Sequence, residues 1–284
     1  MSGAPPLVSA ASLAALLSSG ERMTLIDVRW RLGSDSGRSE FAEAHLPGAA
    51  YVDLDTALAG PVRGDRVGGR HPMPDGSVFQ AAMRAAGVSS GRPVVAYDAG
   101  NGLGASRAWW LLRYFGKEDV RVLDGGLAAW VAEGGRVEAG EVPPEPGDLV
   151  VSPGHRRLLD ADAAGAHPLL LDARPADRFR GENEVIDPVP GHIPGARSVP
   201  ALSSLGADGR FLAAGELRAA FARAGVAAGD DVAVYCGSGV QAAHSALALA
   251  QAGVTDDAAV YVGSWSDWVS DPDRPVELGP RRES

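Results

Sequence analysis

The sequence predicts an α/β fold: two tandem domains, each a mostly parallel sheet with helices on both faces. Three observations carry the prediction. Short apolar runs alternate with stretches of helical periodicity, the same order of motifs occurs twice, and an acidic segment rich in Pro and Gly separates the copies. At 284 residues the chain also suits two domains of ordinary size better than one small core.

In the first copy "TLIDV" (24–28), "PVVAYD" (93–98) and "VRVLDGG" (120–126) read as buried strands. In the second, "LLLDAR" (169–174), "DVAVYC" (231–236) and "AVYVGS" (259–264) do the same. Between them "DGSVFQAAMRAAG", "ASRAWWLLRYFG", "GELRAAFARAG" and "QAAHSALALAQAG" place apolar residues at helical spacing. Strand–helix alternation implies βαβ units, whose right-handed crossovers cover both faces of a parallel sheet. The motif order then repeats. "LIDVRW" (25–30) is echoed by "LLDARP" (170–175), and "AHLPGAAYV" (44–52) by "GHIPGARSV" (191–199). "VVAYDAGNGLGASRA" (94–108) answers "VAVYCGSGVQAAHSA" (232–246), and "LDGGLAAW" (123–130) answers "YVGSWSDW" (261–268). That spacing is far longer than the ~20–50 residues of a solenoid repeat and fits duplicated domains. The expected boundaries are 1–140, a linker at 141–148 within "EAGEVPPEPGD", and 149–284.

Composition narrows the function. Hydrophobic and charged contents of 45% and 22% are those of a soluble globular protein. A net charge of -10 argues against a nucleic-acid or anionic-membrane partner. The single cysteine, Cys236, forms no intrachain disulfide and implies no oxidising compartment. Serines interrupt "LVSAASLAALL" and the first basic residue is Arg22, so no secretory signal is expected. No window approaches the ~18 apolar residues of a membrane span. A cytoplasmic location is the expectation. His45 and His192 occupy the same place in each H-[LI]-P-G-A copy, which points to a shared structural role; His155 and His167 have no partner at metal-ligand spacing. No metal is expected.

The chemistry centres on "VAVYCGSGVQ". Cys236 ends an apolar run and opens a glycine-rich loop that leads into a helix. Glycines allow consecutive N–H groups to turn inward as an anion-binding nest, and the helix adds its positive end. Both favour thiolate over thiol. The loop also lies past the carboxyl end of a strand, where α/β sheets bind ligands. An inert buried thiol is the ordinary reading of a lone cysteine; here its position favours a nucleophile.

In these motifs the chain resembles the two-domain rhodanese family, the thiosulfate and 3-mercaptopyruvate sulfurtransferases. The loop start "CGSGV" is similar to that of the mercaptopyruvate branch. The resemblance implies two rhodanese-like domains and ping-pong sulfur transfer without a cofactor. Cys236 would take the outer sulfur of a small anionic donor as a persulfide and pass it to cyanide, a thiol or thioredoxin. Gly237, Ser238, Gly239, Val240 and Gln241 would form the cradle. Asp98 stands where the first copy would need its cysteine, so that domain would be catalytically inactive. "DRFRGE" (177–182) resembles the donor-binding segment and points to Arg178, with Arg180 a weaker candidate; a surface ion pair is the other reading of Arg178. Arg174 suits a structural ion pair. By the same resemblance Ser238, His71 in "GGRHPMP" and Asp55 in "VDLD" form a relay, although Asp55 also suits a helix cap. Two departures leave the donor open: the second substrate arginine is replaced by Asp187, and the sixth loop position is Gln241. A rhodanese-like phosphatase would need an arginine where Ala242 stands. A non-catalytic binding or sulfur-carrier module is the remaining alternative.

Overall fold

The computed structural model describes residues 5–280. The chain forms two compact units, and neither is contiguous. One comprises the chain up to Ala59, Pro74–His155 and Leu205–Phe211; the other comprises Gly60–Met73, Arg156–Ser204 and the chain from Leu212.

The first unit holds five parallel strands: β1 (Leu7–Val8), β2 (Thr24–Asp27), β3 (Ala50–Tyr51), β4 (Val94–Tyr97) and β5 (Val120–Leu123), in the order β1-β5-β4-β2-β3. The second repeats it with β6 (Leu158–Leu159), β7 (Leu170–Asp172), β8 (Arg197–Ser198), β9 (Ala233–Tyr235) and β10 (Ala259–Tyr261), in the order β6-β10-β9-β7-β8. The strands read from the sequence are the inner ones, which are buried throughout apart from Arg121 and so form nearly unbroken apolar runs. The outer strands have two residues each, too short for any pattern to show.

Each unit locks its sheet in the same way. Asp27 pairs with Arg29 and Asp172 with Arg174, all four side chains buried. His45 Nδ1 lies 2.8 Å from the Phe41 carbonyl with its ring stacked on Phe41; His192 lies 2.8 Å from the Phe179 carbonyl and stacks on Phe179. The Tyr97 and Tyr235 hydroxyls accept from the amides of Leu46 and Ile193, which ties each H-[LI]-P-G-A turn to its central strand. The histidines are therefore structural, as their matched positions indicate.

In the second unit the chain runs from β9 out to β10 on one side and from β7 out to β8 on the other. The crossovers diverge at the carboxyl ends of β7 and β9, the usual crevice of an open α/β sheet. Cys236 follows β9 directly. Among the described residues no helix is long and apolar enough to cross a membrane.

Candidate active site

Cys236 is 1% exposed. Its Sγ accepts from the Gly239 amide at 3.0 Å and the Ser238 amide at 3.4 Å. Gly239 has φ +81°, a left-handed conformation that a side chain would strain, and it caps the helix Val240–Gln251. The loop thus curls over the sulfur and delivers it to a helix N-terminus. Val240 is buried and Gln241 half-buried in the first turn of that helix.

The closing motif "GSWSDW" holds the loop from below. The Cys236 carbonyl accepts from the Trp265 amide (2.9 Å) and the Gly237 carbonyl from the Ser266 amide (3.1 Å). Ser264 Oγ accepts from the Cys236 amide at 3.1 Å, donates to the Tyr261 carbonyl at 2.8 Å, and lies 3.8 Å from Sγ. The motif is plain in the sequence, but nothing in it marks Ser264. The available signal was the repeat, which matches Ser264 to Gly126; both have φ near +57° (Ser264 φ 57, Gly126 φ 56).

The segment Gly60–Met73 anchors on the same motif. The Gly68 amide donates to Asp267 Oδ1 (2.8 Å) and the Arg70 amide to Ser266 Oγ (3.1 Å). This brings His71 Nδ1 to 2.8 Å from Ser238 Oγ, with both side chains buried. Asp55 lies in the other unit, where both carboxylate oxygens accept from Trp30 Nε1 (3.1 and 3.2 Å). Asp55 does not cap a following helix: it lies inside the short helix Leu54–Ala57, which Asp53 caps by accepting from the Thr56 amide at 2.9 Å.

Arg178 is buried rather than in a surface pair. It donates to both oxygens of Glu184 (2.8–3.1 Å) and to Asp187 Oδ2 (3.0 Å). Arg174 Nη1 lies 3.6 Å from Glu184, and Arg70 pairs with Asp187. Charges therefore alternate along one buried chain: Asp172, Arg174, Glu184, Arg178, Asp187, Arg70. Burial pushes the Glu184 carboxyl up, but hydrogen bonds from Arg178 and from the Asp187 and Ile186 amides outweigh it and hold the group below the usual range. Asp187 goes the other way, because burial exceeds the pull of Arg70 and Arg178. Arg180 pairs with Glu182 and is half-buried, away from this chain.

In the first unit the corresponding loop has no thiol. Asp98 Oδ1 accepts from the amides of Gly100 (2.9 Å) and Gly102 (3.0 Å), and Oδ2 from those of Gly104 (3.1 Å) and Ala105 (3.4 Å). The anion nest survives and its own carboxylate fills it.

A duplicated parallel α/β fold with an amide-cradled cysteine at the end of one copy's central strand defines a class of protein that presents a loop thiol at the mouth of an open sheet. The rhodanese-like domain family model matches residues 9–133 and 156–271. The chain belongs to the two-domain rhodanese family of sulfurtransferases. It is similar to SseB of Mycobacterium tuberculosis, provisionally named a thiosulfate sulfurtransferase, at 46% identity over 96% of this chain and 97% of the relative. A Pseudomonas aeruginosa protein provisionally named 3-mercaptopyruvate sulfurtransferase is 44% identical over 96% of this chain and 98% of its own. Among solved structures, the 3-mercaptopyruvate enzyme SseA of Escherichia coli superposes with a TM-score of 0.80 at 33% identity, covering 92% of this chain and 99% of that one.

Proposed function

We propose that the protein moves a sulfane sulfur from 3-mercaptopyruvate or thiosulfate to a thiophilic acceptor through a persulfide on Cys236. The observation that carries this reading is the pair of amide hydrogen bonds on Sγ at the mouth of the sheet. The thiolate attacks the donor's outer sulfur, the donor's sulfur bond breaks, and sulfite or pyruvate leaves. Cys236 keeps the sulfur as a persulfide, whose negative charge the same amides stabilise. Cyanide, a small thiol or thioredoxin then takes that sulfur and regenerates the thiolate. Every step runs on sulfur and protein groups, so the cycle calls for no metal or organic cofactor. Arg178 supplies positive charge for the donor's anionic group, and Ser238 with His71 supplies a proton or hydrogen bond to the leaving group. Asp98, filling its own nest, would leave the first unit inactive. With one cysteine and no disulfide to form, we read the protein as cytoplasmic.

The reading takes in both donors. Relatives of nearly equal identity carry different donors in their names. Steady-state kinetics with both donors, side by side, assigns it. The central claim is tested by Cys236→Ser, which is expected to abolish transfer from either donor while leaving the circular dichroism spectrum unchanged. Mass spectrometry after incubation with each donor should show one added sulfur in the wild type and none in the variant. Appreciable activity in Cys236→Ser would falsify the persulfide route, and a wild type that gains no sulfur from either donor would favour the binding-module reading.

A further inference from the structure

We propose that Arg70 is the second donor-anchoring residue, forming with Arg178 a two-guanidinium seat beside Cys236, and that Asp187 is the resident counter-ion which the donor's anionic group displaces. The proposal rests on the sulfur-transfer reading and deepens it by assigning the anchor.

The sequence leaves a puzzle: Asp187 puts a negative charge where a second cation would help an anionic donor, in a protein of net charge -10. The fold answers it from another segment. A Cβ placed on Gly237 would meet Arg70 Nη2 at 2.8 Å and Arg178 Nη1 at 3.5 Å, so both guanidiniums border the loop next to the nucleophile. Arg70 is held there from its backbone. Its amide donates to Ser266 Oγ, and the preceding Gly69 has φ +81°, where a Cβ would lie 2.3 Å from the Gly263 carbonyl. Only glycine lets the chain pass that close, so Arg70 sits at an enforced position rather than on a free loop.

The Arg70 side chain is 14% exposed and its buried Nε has no hydrogen-bond partner among the described residues. A guanidinium with unspent donors matches a carboxylate or sulfonate in the planar, two-bonded manner arginine favours. The two carboxylates here are not equivalent. Glu184 takes three hydrogen bonds from Arg178 and two more from the amides of Ile186 and Asp187, and is fixed. Asp187 bridges the two arginines and is the group whose charge burial disfavours. An incoming anion therefore replaces Asp187 at the arginines more readily than Glu184.

The test uses the full chain. In Arg70→Ala, KM for the donors should rise by about tenfold or more with kcat little changed, and Arg70→Lys should recover part of the loss. Asp187→Asn should lower KM, because the competing carboxylate is gone. A second readout needs no turnover: the ratio of Cys236 alkylation rates by iodoacetate, an anion, and by neutral iodoacetamide. That ratio should fall in Arg70→Ala and rise in Asp187→Asn. Unchanged KM and an unchanged ratio in Arg70→Ala would overturn the proposal. Should that variant fail to fold, an Asp187→Asn enzyme with raised KM and a lowered ratio would overturn it equally. A wild type that accepts no sulfur would sink the transfer reading alone, and the alkylation ratio would still decide the anion seat.

Discussion

Ser238 Oγ and His71 Nδ1 stand 2.8 Å apart in a buried setting, so a proton or a hydrogen bond can be offered close to the sulfur. The two donors need this help unequally. Sulfite leaves thiosulfate as a stable anion, whereas mercaptopyruvate must release an enolate, and general-acid assistance is typically worth about 10²–10⁴-fold. Ser238→Ala and His71→Ala should therefore cut mercaptopyruvate turnover far more than thiosulfate turnover, read as the ratio of the two activities in each variant. Equal losses would return His71 to a packing role. At this scale the sequence was readable where chemistry is local: Cys236, Ser238 and the glycines announce a nest by their own spacing. Arg70 was not, although it precedes His71 directly. Nothing in the sequence tells that Gly69 must thread past the Gly263 carbonyl and so aim its neighbour at the loop. Ser264 was hidden for a related reason, since its left-handed backbone, costing about 1–3 kcal/mol for a residue with a side chain, is a fact of conformation.

Each D-x-R element closes a buried ion pair that also anchors its sheet to the following loop. Arg29 donates to the Glu40 and Ala44 carbonyls, and Arg174 to that of Gly191. Removing one partner leaves the other charge buried, so Asp27→Asn should cost about 3 kcal/mol or more in urea unfolding, with no direct effect on donor KM. A loss below about 1 kcal/mol would show that the carbonyls alone hold Arg29. Glu184 adds a pH dependence. Its folded carboxyl is held below its unfolded value, so its contribution is present above about pH 4.3 and is lost as pH falls through the folded value. Glu184→Gln should therefore be less stable than wild type at neutral pH, the gap narrowing in acid; a gap independent of pH would contradict this. The inner strands and the four long helices were legible from apolar periodicity. The helix Ala10–Ser18 was not: its serines read as interruptions, yet Ser9 caps the helix by accepting from the Ser12 amide. Two-residue strands carry no period to read.

At the scale of the whole chain the repeat revealed two similar folds but not the exchange between them. A division at the Pro-rich segment assumes contiguous domains, while Gly60–Met73 belongs to the second unit and Leu205–Phe211 to the first. The first of these contains no helix or strand, only turns and irregular chain, so no periodicity marks its destination. It nonetheless brings Arg70 and His71, and its amides satisfy Asp267 Oδ1 and Ser266 Oγ of the motif that supports the cysteine loop. The polypeptide 149–284 made alone would lack all of these. It should unfold at a lower urea concentration than the full chain, bind donors more weakly, and lose mercaptopyruvate turnover more completely than thiosulfate turnover. The full chain should unfold in one transition, because each unit contains a segment tethered at both ends to the other. Circular dichroism and the two donor assays on both polypeptides check this. A fragment with the stability and the activity ratio of the whole would show that Gly60–Met73 is dispensable, and would remove Arg70 and His71 from the site together.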